Sequence, residues 1–538
     1  MEIRKLLVAN RGEIAVRIFR LCDAEGIPTV AVVAPDDKGS LHAREAGEVV
    51  EIASYLYSEE HIRAAKQTGA DAIHPGYGFL AENADFAEAV ESAGLAFVGP
   101  TPEALRRGGD KLEAKRTARA VGIPVLPTGE PDEIGFPVMI KAAAGGGGRG
   151  MRVVHEPGEL AEAVAAARRE AKAAFGDETV FFERYLERPR HVEIQLLADD
   201  HAHVYSLGER DCSIQRRHQK VLEEAPSPAV DNELRERMSG AAIAFGREIG
   251  YRSLGTVEFL VDGGDFYFLE LNGRVQVEHP VTEEATDLDL IALQLAVARG
   301  EEVADPWPKL RRHAVEVRLY AEDPVDFLPQ AGTVERLRLP DSIRVDSGVA
   351  EGDEIGVAYD PMIAKLIASG ETRAEALDRL GDALAETEVE GVTTNLPFLR
   401  WLVSHPVVRA GRVTTAFLTE HPPLSAVPAR LPEGPWAVPW RLNLPTPSPS
   451  AAPDPDVASH DHRHTGEQSS LTAPMPGTVI RVVVAEGDRV EARQPLVVLE
   501  AMKMETPVVA PYEAVVRAIH VAAGDRVAGG AVLVELED

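Results

Sequence analysis

The central fold of this chain is decided by residues 256–280, which read Thr-Val-Glu258-Phe-Leu-Val-Asp-Gly-Gly-Asp-Phe-Tyr-Phe-Leu-Glu270-Leu-Asn-Gly-Arg-Val-Gln-Val-Glu278-His-Pro. Two strand-like runs flank residues 263–265, which we take as a three-residue hairpin loop. Such a loop places Glu258 directly opposite Glu270. Polar residues then recur at every second position as far as Glu278. We therefore expect one strand over 266–278 that presents these polar side chains on a single face.

The residue types on that face indicate a metal and anion site. Two carboxylates that face each other repel, unless a cation bridges Glu258 and Glu270. Together with Asn272 they offer the oxygen ligands that Mg²⁺ or Mn²⁺ prefers, shared with nucleotide phosphates. Arg274 can grip a small planar anion, and Glu278 can act as a base. An edge strand with a solvated face gives the same alternation. The unpaired Glu258 inside an apolar run argues against that alternative.

A glycine run between two other strand-like segments predicts a flexible lid. Phe136–Lys141 precedes Gly145-Gly-Gly-Gly-Arg-Gly150, and 151–154 read Met-Arg-Val-Val. The run matches the dinucleotide pattern G-x-G-x-x-G, but that motif opens a helix, whereas a strand follows here. Its backbone N–H groups can close on phosphates, with Lys141 and Lys111 as nearby charges. A disordered hairpin tip is the alternative.

The order of strand-like and helix-like segments along the sequence divides the chain into five regions. Residues 3–34 read strand, helix, strand, and the pattern recurs to Gly99, which predicts an open parallel sheet. A helix is expected over 158–175, and 180–420 reads as mixed α+β, with strands including 192–197 and 255–261. We expect the following regions: an N-terminal βαβ domain at 1–110, a lid at 111–185, a mixed region at 186–425, a linker at 426–470 and a small all-β domain at 471–538.

The linker and the last domain have distinct signatures. From Pro422 to Pro455 there are 11 prolines in 34 residues, which predicts an extended tether. The last domain contains an internal repeat at an offset of 37 residues. In this repeat, Glu486-Gly-Asp-Arg-Val490 corresponds to Ala523-Gly-Asp-Arg-Val527. Two such halves predict a β-sandwich with pseudo-twofold symmetry. Lys503 lies between the halves, a placement that suits a covalently attached swinging arm.

Composition limits the partners and the compartment. Lys+Arg is 56 and Asp+Glu is 87, so the net charge is −31, and we expect neither nucleic acid nor an anionic membrane as a general partner. Within this acidic chain, Gln215-Arg-Arg-His-Gln-Lys220 forms a local positive patch. The two cysteines, Cys22 and Cys212, indicate no disulfide framework. With no signal peptide or membrane-span pattern, a soluble cytoplasmic protein is expected.

The chain resembles a known family at these motifs. Ala501-Met-Lys503-Met is similar to the attachment motif of biotin carboxyl carrier domains, of the biotinyl/lipoyl fold. Residues 1 to about 445 resemble biotin carboxylase, an ATP-grasp enzyme. The matching stretches are Ala9–Ile14, His74–Phe79, Gly145–Met151, Glu209–Ser213, Gln215–Lys220 and Arg274–Glu283. The resemblance implies the biotin-containing α subunit of an acetyl- or propionyl-CoA carboxylase.

The resemblance also implies residue roles. The positions that match ATP contacts are Lys111, Lys141, Gly147, Gly148, Met151, Glu183, Leu186, His191, Gln215, His218, Glu258 and Glu270. Those that match metal ligands are Glu258, Glu270 and Asn272, and those that match the bicarbonate pocket are Lys220, Arg274, Gln276 and the Val277 backbone. Glu278 matches the base that deprotonates bicarbonate, Arg344 the arginine that stabilises the biotin enolate, and Lys503 the biotin attachment site.

The resemblance also implies the partner proteins of this chain. The resemblance implies a biotin protein ligase, a separate carboxyltransferase β subunit, and a homodimer or higher assembly through the carboxylase region. Pyruvate carboxylase is expected to be excluded, because its relatives carry the transferase in one much longer chain. The alternatives are a carboxylase for another acyl-CoA such as methylcrotonyl-CoA, a different ATP-grasp ligase of the carbamoyl-phosphate type, and a non-catalytic biotin carrier or scaffold.

Overall fold

The computed structural model describes residues 2–142, 151–175, 177–216, 219–304, 310–325, 327–356, 358–423, 470–473, 477–491, 494–501, 504–527 and 530–537. Within these ranges, no helix has both the length and the apolar character that crossing a bilayer requires. Several predictions concern residues outside these ranges: Gly147 and Gly148 of the lid, His218, nearly all of the linker, and Lys503.

The N-terminal region folds as the predicted open parallel sheet. Its elements are β1 (Leu6–Val8), α1 (Gly12–Ala24), β2 (Thr29–Val33), α2 (Leu41–Glu45), β3 (Glu48–Glu51), α3 (Ser58–Thr68), β4 (Ala72–His74), α4 (Ala84–Ser92) and β5 (Ala96–Phe97). The strand order is β3-β2-β1-β4-β5, and every neighbouring pair is parallel. Strands β1 and β2 are buried along their whole length, as a sheet covered on both faces requires.

The lid region contains the predicted hairpin around the glycine run. Its elements are α5 (Pro102–Gly109), α6 (Lys111–Ala120), α7 (Pro131–Ile134), β6 (Val138–Ala142), β7 (Arg152–Val154), α8 (Leu160–Phe175) and β8 (Val180–Arg184). Strand β6 pairs antiparallel with both β7 and β8. A strand therefore follows the glycines, which excludes the dinucleotide-binding arrangement.

A mixed region carries the largest sheet. Its elements are β9 (Arg190–Ala198), β10 (Val204–Arg216), β11 (Gln219–Ala225), α9 (Asn232–Glu248), β12 (Ser253–Asp262), β13 (Asp265–Asn272), α10 (His279–Thr286), α11 (Leu290–Ala298), β14 (His313–Tyr320), β15 (Gly332–Thr333), β16 (Arg336–Arg338), β17 (Arg344–Ser347), β18 (Glu354–Ile355), β19 (Met362–Gly370), α12 (Arg373–Glu386), β20 (Glu388–Glu390), α13 (Leu396–Ser404), α14 (Pro406–Arg409) and α15 (Phe417–Glu420). The eight-stranded sheet has the order β13-β12-β9-β10-β11-β14-β19-β17, with antiparallel pairs throughout.

This antiparallel sheet brings distant parts of the chain together. Strands β11 and β14 are neighbours although about 90 residues separate them in the sequence, so residues near 220 meet residues near 318. One face of β14 and β19 packs on α12 and α13 through a core that includes Leu366, Leu380 and Leu399. The charged side chains of β14 and β19 alternate with these apolar residues along each strand, and so belong to the opposite face of the sheet.

The C-terminal domain is the predicted sandwich with an internal repeat. Its strands are β21 (Ser470–Thr472), β22 (Gly477–Val482), β23 (Arg489–Val490), β24 (Pro495–Ala501), β25 (Met504–Val509), β26 (Ala514–Ile519), β27 (Arg526–Val527) and β28 (Val532–Glu537). They form two four-stranded sheets, β21-β28-β26-β23 and β25-β24-β22-β27, around one core.

Two reciprocal hydrogen bonds demonstrate the symmetry of that domain. Gly487 N donates to Val516 O at 2.8 Å, and Gly524 N donates to Val479 O at 2.7 Å. Both glycines have positive φ angles, of 90° and 98°, at equivalent Gly-Asp turns. Between the two halves, Ala501, the last residue of β24, pairs with Met504, the first residue of β25.

Candidate active site

The β12–β13 hairpin confirms the predicted pairing of Glu258 with Glu270, although the turn that produces this pairing differs from the predicted one. The turn has two residues, Gly263 and Gly264, both with positive φ. The prediction of a three-residue loop is therefore wrong. A bulge at Leu269 shifts the pairing by one residue between Phe259 and Glu258, which restores the expected partners. Glu258 and Glu270 are paired because the turn and the bulge compensate each other.

The predicted strand over 266–278 is wrong beyond Asn272, where β13 ends. The next residue, Gly273, lies so close to Leu105 that a Cβ built on it would be 2.9 Å from Leu105 Cδ2. The chain then turns into α10, with Glu278 immediately before the helix. Strand alternation therefore does not align the later polar residues; the turn into α10 brings Glu278 back to the site.

Lys220 lies at the centre of the site. Its Nζ donates to Glu193 at 2.5 Å, to Glu258 at 2.8 Å and to Glu278 at 2.6 Å. Burial by itself lowers the pKa of a lysine, but the three carboxylates outweigh it and hold the pKa of Lys220 well above its usual value. Lys220 is a permanent cation that joins Glu258 to Glu278.

Glu278 is held in its ionised form from two sides. Its Oε1 accepts from Lys220 at 2.6 Å, and its Oε2 accepts from Arg318 Nη2 at 3.0 Å. Burial raises the pKa of a carboxyl group, but Lys220, Arg318 and Arg210 overcome it and hold the pKa of Glu278 well below its ordinary value. Glu278 is therefore ionised at neutral pH.

Arg274 joins the end of β13 to the N-terminal region. Its Nη2 donates to Asn272 Oδ1 at 3.1 Å and its Nη1 to Gln276 Oε1 at 3.1 Å. Its Nε lies 3.3 Å from Glu82 Oε2, and the Gly273 N–H also donates to Glu82 at 3.1 Å. These contacts hold a guanidinium over the turn between β13 and α10.

The proposed metal ligands fit a divalent cation by their chemistry. Glu258, Glu270 and Asn272 supply carboxylate and amide oxygens, the donors that Mg²⁺ and Mn²⁺ prefer. Burial and the neighbouring Glu258 together raise the pKa of Glu270. A bound cation would offset that repulsion, because it favours the ionised form of both carboxylates.

A second cluster of charges lies on the lid side, where Glu183 of β8 contacts two lysines. Lys141 of β6 donates to Glu183 Oε1, and Lys115 of α6 contacts Oε2. Burial lowers the pKa of Lys141 to about 8 and that of Lys115 to about 6, each assisted by neighbouring cations. Lys111, at the start of α6, is one of those cations. Three lysines therefore converge where the resemblance expects triphosphate.

His191 connects the expected nucleotide contacts to the metal set. Its Nε2 lies 2.9 Å from Glu258 Oε2, and its Nδ1 lies 2.6 Å from Gln215 Nε2. Two other expected contacts, Leu186 and Met151, are half-buried in irregular segments beside β8 and β7. Of the predicted positive patch, Arg216 forms a buried ion pair with Glu322 at 2.7 Å, so only Lys220 of its described cations reaches the site.

Arg344 of β17 contacts α10. Its Nη1 is 2.8 Å from Glu283 and its Nη2 is 3.1 Å from Asp346. Burial would lower the pKa of Arg344, but these carboxylates raise it beyond its already high value. Lys365 donates to the Val277 carbonyl at 2.8 Å and lies 3.7 Å from Asp346. The structure thus connects Arg344 to the 276–278 segment through Asp346 and Lys365.

Sequence reasoning missed several buried charges that complete the site: Lys115, Glu193, Arg210, Arg318 and Lys365. Arg210 is wholly buried and donates from Nε to Glu193 at 2.5 Å. The sequence signal that could have identified them is the one that identified Glu258: charged residues that alternate with apolar residues along a strand. His191-Val-Glu193-Ile-Gln195 carries it in β9, as does Glu316-Val-Arg318 in β14.

Family models match both the large region of the chain and its C-terminal domain. Residues 2–105 match "Biotin carboxylase, N-terminal domain", and residues 127–305 match "Carbamoyl-phosphate synthase L chain, ATP binding domain". Residues 316–420 match "Biotin carboxylase C-terminal domain", and residues 469–536 match "Biotin-requiring enzyme". A carbamoyl-phosphate-type ATP-binding domain therefore lies between two domains characteristic of biotin carboxylases.

Curated relatives agree with these matches. The chain is 50% identical to a biotin carboxylase of Halalkalibacterium halodurans, over 78% of this chain and 98% of that one. It is 45% identical to the alpha subunit of the mitochondrial methylcrotonoyl-CoA carboxylase of Oryza sativa, over 78% of this chain and 60% of that one. It is 47% identical to one of the pyruvate carboxylase subunits of Methanothermobacter thermautotrophicus, over 78% of this chain and 90% of that one. Length therefore does not exclude a pyruvate carboxylase, since one relative carries that name on a chain that is matched over most of its length.

A solved structure resembles the large region of the chain. The biotin carboxylase domain dimer of the Hydrogenobacter thermophilus 2-oxoglutarate carboxylase, in complex with MgADP, ADP and bicarbonate, matches with a TM-score of 0.77 and 41% identity. The match covers 78% of this chain and 98% of that one.

Proposed function

The chain belongs to the biotin carboxylase family, and we propose that it carboxylates the biotin attached to its own carrier domain at Lys503. This ligase reaction consumes ATP and bicarbonate and requires Mg²⁺ or Mn²⁺. Biotin accepts the carboxyl group and carries it to a second active site. The 11 prolines between Pro422 and Pro455 predict an extended tether for the carrier domain.

The observation that best supports this proposal is the contact of Lys220 with Glu193, Glu258 and Glu278. Bicarbonate and ATP are both anions, and the chain as a whole has a net charge of −31. Lys220 keeps its positive charge at this place, and Arg210 on Glu193 and Arg318 on Glu278 offset the remaining carboxylate charge. Lys220 also touches both the proposed base and a proposed metal ligand, so proton removal and phosphoryl transfer can occur side by side.

The residues suggest how the first step proceeds. Glu278 takes the proton of bicarbonate, and an oxygen of the resulting anion attacks the γ-phosphorus of ATP. The bond from that phosphorus to the ADP oxygen breaks, which gives carboxyphosphate and ADP. Arg274 and Lys220 orient the bicarbonate oxygens and neutralise their charge, with Gln276 and the Val277 backbone completing the pocket.

The remaining residues are assigned to the metal ion, to biotin and to the nucleotide. Glu258, Glu270 and Asn272 would hold the divalent cation, which neutralises phosphate charge. We assign Arg344 to the biotin side, because its guanidinium lies beside α10 and is connected through Asp346 to the bicarbonate segment. By the same proposal, Gly147, Gly148 and Met151 are assigned to the phosphates, and the nucleotide contacts are assigned to Lys111, Lys141, Glu183, Leu186, His191, Gln215 and His218.

The wider setting is proposed from the relatives. We propose that a separate carboxyltransferase β subunit receives the carboxyl group and transfers it to acetyl-CoA or propionyl-CoA, and that a biotin protein ligase modifies Lys503. Methylcrotonoyl-CoA is the alternative acceptor, and a relative bears that name. A similar structure is described as a dimer, which supports a homodimer here. Free, buried Cys22 and Cys212 suit the reducing cytoplasm.

One assay tests the proposed reaction against its alternatives. The purified chain is given ATP and Mg²⁺, with and without bicarbonate and free biotin, and ADP release is followed. We expect turnover that requires bicarbonate and rises with biotin, and that is lost in Arg274→Ala but kept in Arg311→Ala, an exposed arginine. Biotin-independent turnover would indicate another ATP-grasp ligase, and none at all would indicate a non-catalytic carrier. The acyl acceptor is then identified by assaying the co-purified native complex with acetyl-, propionyl- and methylcrotonoyl-CoA.

A further inference from the structure

A row of charged residues crosses four neighbouring strands of the central sheet. Glu258 of β12 lies between Glu270 of β13 and Glu193 of β9. Glu193 in turn pairs with Arg210 of β10. Directly paired residues project from the same face of a sheet, so three carboxylates lie side by side and an arginine follows them. Like charges at such positions repel, and Arg210 offsets that repulsion at the β10 end of the row.

The guanidinium of Arg210 is wholly buried and has four acceptors. Its Nε donates to Glu193 Oε1 at 2.5 Å, and its Nη1 donates to Gln195 Oε1 at 2.7 Å. Nη1 also donates to Thr282 Oγ1 at 2.8 Å, and Nη2 donates to Thr256 Oγ1 at 3.2 Å. These acceptors belong to β9, α10 and β12. One side chain of β10 therefore connects three other elements around the site.

Glu193 passes this restraint on to Lys220. The Oε1 atom of Glu193 accepts from Arg210, and its Oε2 accepts from Lys220 at 2.5 Å, so both oxygens of the carboxylate are held. Lys220 lies at the start of β11, where the pairing with β10 shifts register on both sides of Ile214. Regular strand pairing does little to fix Lys220 there. Its contact with Glu193 ties the ammonium group to β9, which lies between β12 and β10.

A second contact of the same guanidinium reaches α10. Thr282 is buried and follows Glu278 by four residues, which is about one helical turn. The bond from Arg210 to the Thr282 hydroxyl therefore fixes the first turn of α10 against the sheet. Glu278 comes directly before that turn and accepts from Lys220 at 2.6 Å. Both partners of this contact are thus tied to one arginine.

We propose that Arg210 is a positioning residue that sets the distance between Lys220 and Glu278, because it holds Lys220 through Glu193 and the start of α10 through Thr282. The proposal rests on the function proposed above, in which Lys220 and Glu278 face bicarbonate. Arg210 is 0% exposed and acts through these neighbours, not through contact with substrate. A change at Arg210 should therefore affect bicarbonate more than the nucleotide.

Arg210→Gln tests this in bicarbonate-dependent ATP cleavage by the full chain. Its kcat/KM for bicarbonate should fall about 10²-fold, the cost of misplacing a catalytic group by about 1 Å. KM for MgATP, and the affinity for ADP measured by calorimetry, should stay close to the wild-type values. Arg210→Lys keeps a positive charge beside Glu193 but lacks the planar fork that reaches all four acceptors, so it should recover only part of the loss.

Two threonines that accept from this guanidinium provide a matched pair. Thr282→Val removes the hydroxyl on α10, and Thr256→Val removes the hydroxyl on β12. Each change takes one acceptor from the buried guanidinium, so the melting temperature should fall by similar amounts in both variants. Only Thr282→Val releases α10. It should raise KM for bicarbonate about tenfold, the equivalent of one hydrogen bond to a charged group, whereas Thr256→Val should leave that KM unchanged.

The outcomes separate the positioning role from the proposed function. A folded Arg210→Gln with the wild-type kcat/KM for bicarbonate, or with equal losses in that value and in ADP affinity, would overturn the positioning role. Should Arg210→Gln not fold, the threonine pair decides, and an equal KM for bicarbonate in Thr282→Val and Thr256→Val would overturn the role as well. If Glu278→Gln and Lys220→Met keep full bicarbonate-dependent turnover, the proposed function is wrong instead.

Discussion

Lys220 Nζ lies 2.6 Å from Oε1 of Glu278, so the start of β11 and the start of α10 meet at one hydrogen bond. The same ammonium group also contacts Glu258 at 2.8 Å. Through Lys220, a carboxylate of the hairpin and the carboxylate that precedes α10 belong to one charged cluster. The predictions below separate the roles of its members.

The first prediction concerns Glu278 as the base. Glu278→Gln keeps the shape of the side chain but cannot accept a proton, so bicarbonate-dependent ATP cleavage should fall about 10²- to 10⁴-fold. Binding of ADP, measured by calorimetry, should remain. The matched control is Glu236→Gln on the exposed face of α9. A variant that loses ADP affinity together with turnover would assign Glu278 to nucleotide binding.

The second prediction concerns the divalent cation. Glu270→Gln removes one of two facing carboxylates, so more Mg²⁺ should be needed for half-maximal turnover, by roughly tenfold or more. Asp265→Asn alters an exposed carboxylate at the other end of the same strand and should not change that requirement. Mn²⁺ titration followed by electron paramagnetic resonance gives an independent readout. Equal Mn²⁺ affinity in wild type and Glu270→Gln would remove Glu270 from the metal set.

The third prediction concerns stability and pH at a buried acid outside the cluster. Burial, the largest influence on Glu13, raises its pKa from 4.5 to about 7. The carboxyl group is protonated in both states below pH 4.5. Between pH 4.5 and 7 only the unfolded chain ionises, so stability falls as pH rises. Well above pH 7 the full loss is present, on the order of 3 kcal/mol for a shift of this size.

Glu13→Gln tests this because it cannot ionise. Relative to wild type, its urea unfolding midpoint should rise progressively between about pH 5 and pH 8. Exposed Glu45→Gln should show a constant offset. A Glu13→Gln offset that does not change with pH would mean that Glu13 is ionised in the folded protein throughout.

The fourth prediction concerns the carrier. When expressed with a biotin protein ligase, the wild-type chain should be retained on avidin, and Lys503→Arg should not. Lys172→Arg, on α8, serves as the control and should be retained like wild type. If Lys503→Arg is retained as well, biotin is attached to a different lysine.

Local patterns predicted the elements whose partners are near in sequence. Hairpin pairing predicted Glu258 opposite Glu270, although the observed turn produces that pair only with the bulge at Leu269, and the 37-residue repeat predicted matching turns at Gly487 and Gly524. The turn length was wrong, because a bulge such as that at Leu269 leaves no clear mark in the residue pattern.

The site could not be completed from the sequence, because its members come from distant strands. Arg318 reaches Glu278 across 40 residues, and Lys365 reaches Val277 across 88. Which buried charges meet depends on the order β11-β14-β19, and local periodicity does not determine strand order. The same limit applies after Asn272, where the polar alternation predicts a strand although Gly273 and the turn into α10 bring Glu278 back to the site.

Incorporation of labelled bicarbonate tests the central claim most directly. The biotinylated full chain is incubated with radiolabelled bicarbonate, Mg²⁺ and ATP, and acid-labile label on the protein is counted after rapid gel filtration. The account predicts label that requires ATP, is absent from Lys503→Arg, and forms about 10²- to 10⁴-fold more slowly in Glu278→Gln. Label that persists without ATP, or in Glu278→Gln at the wild-type level, would contradict it.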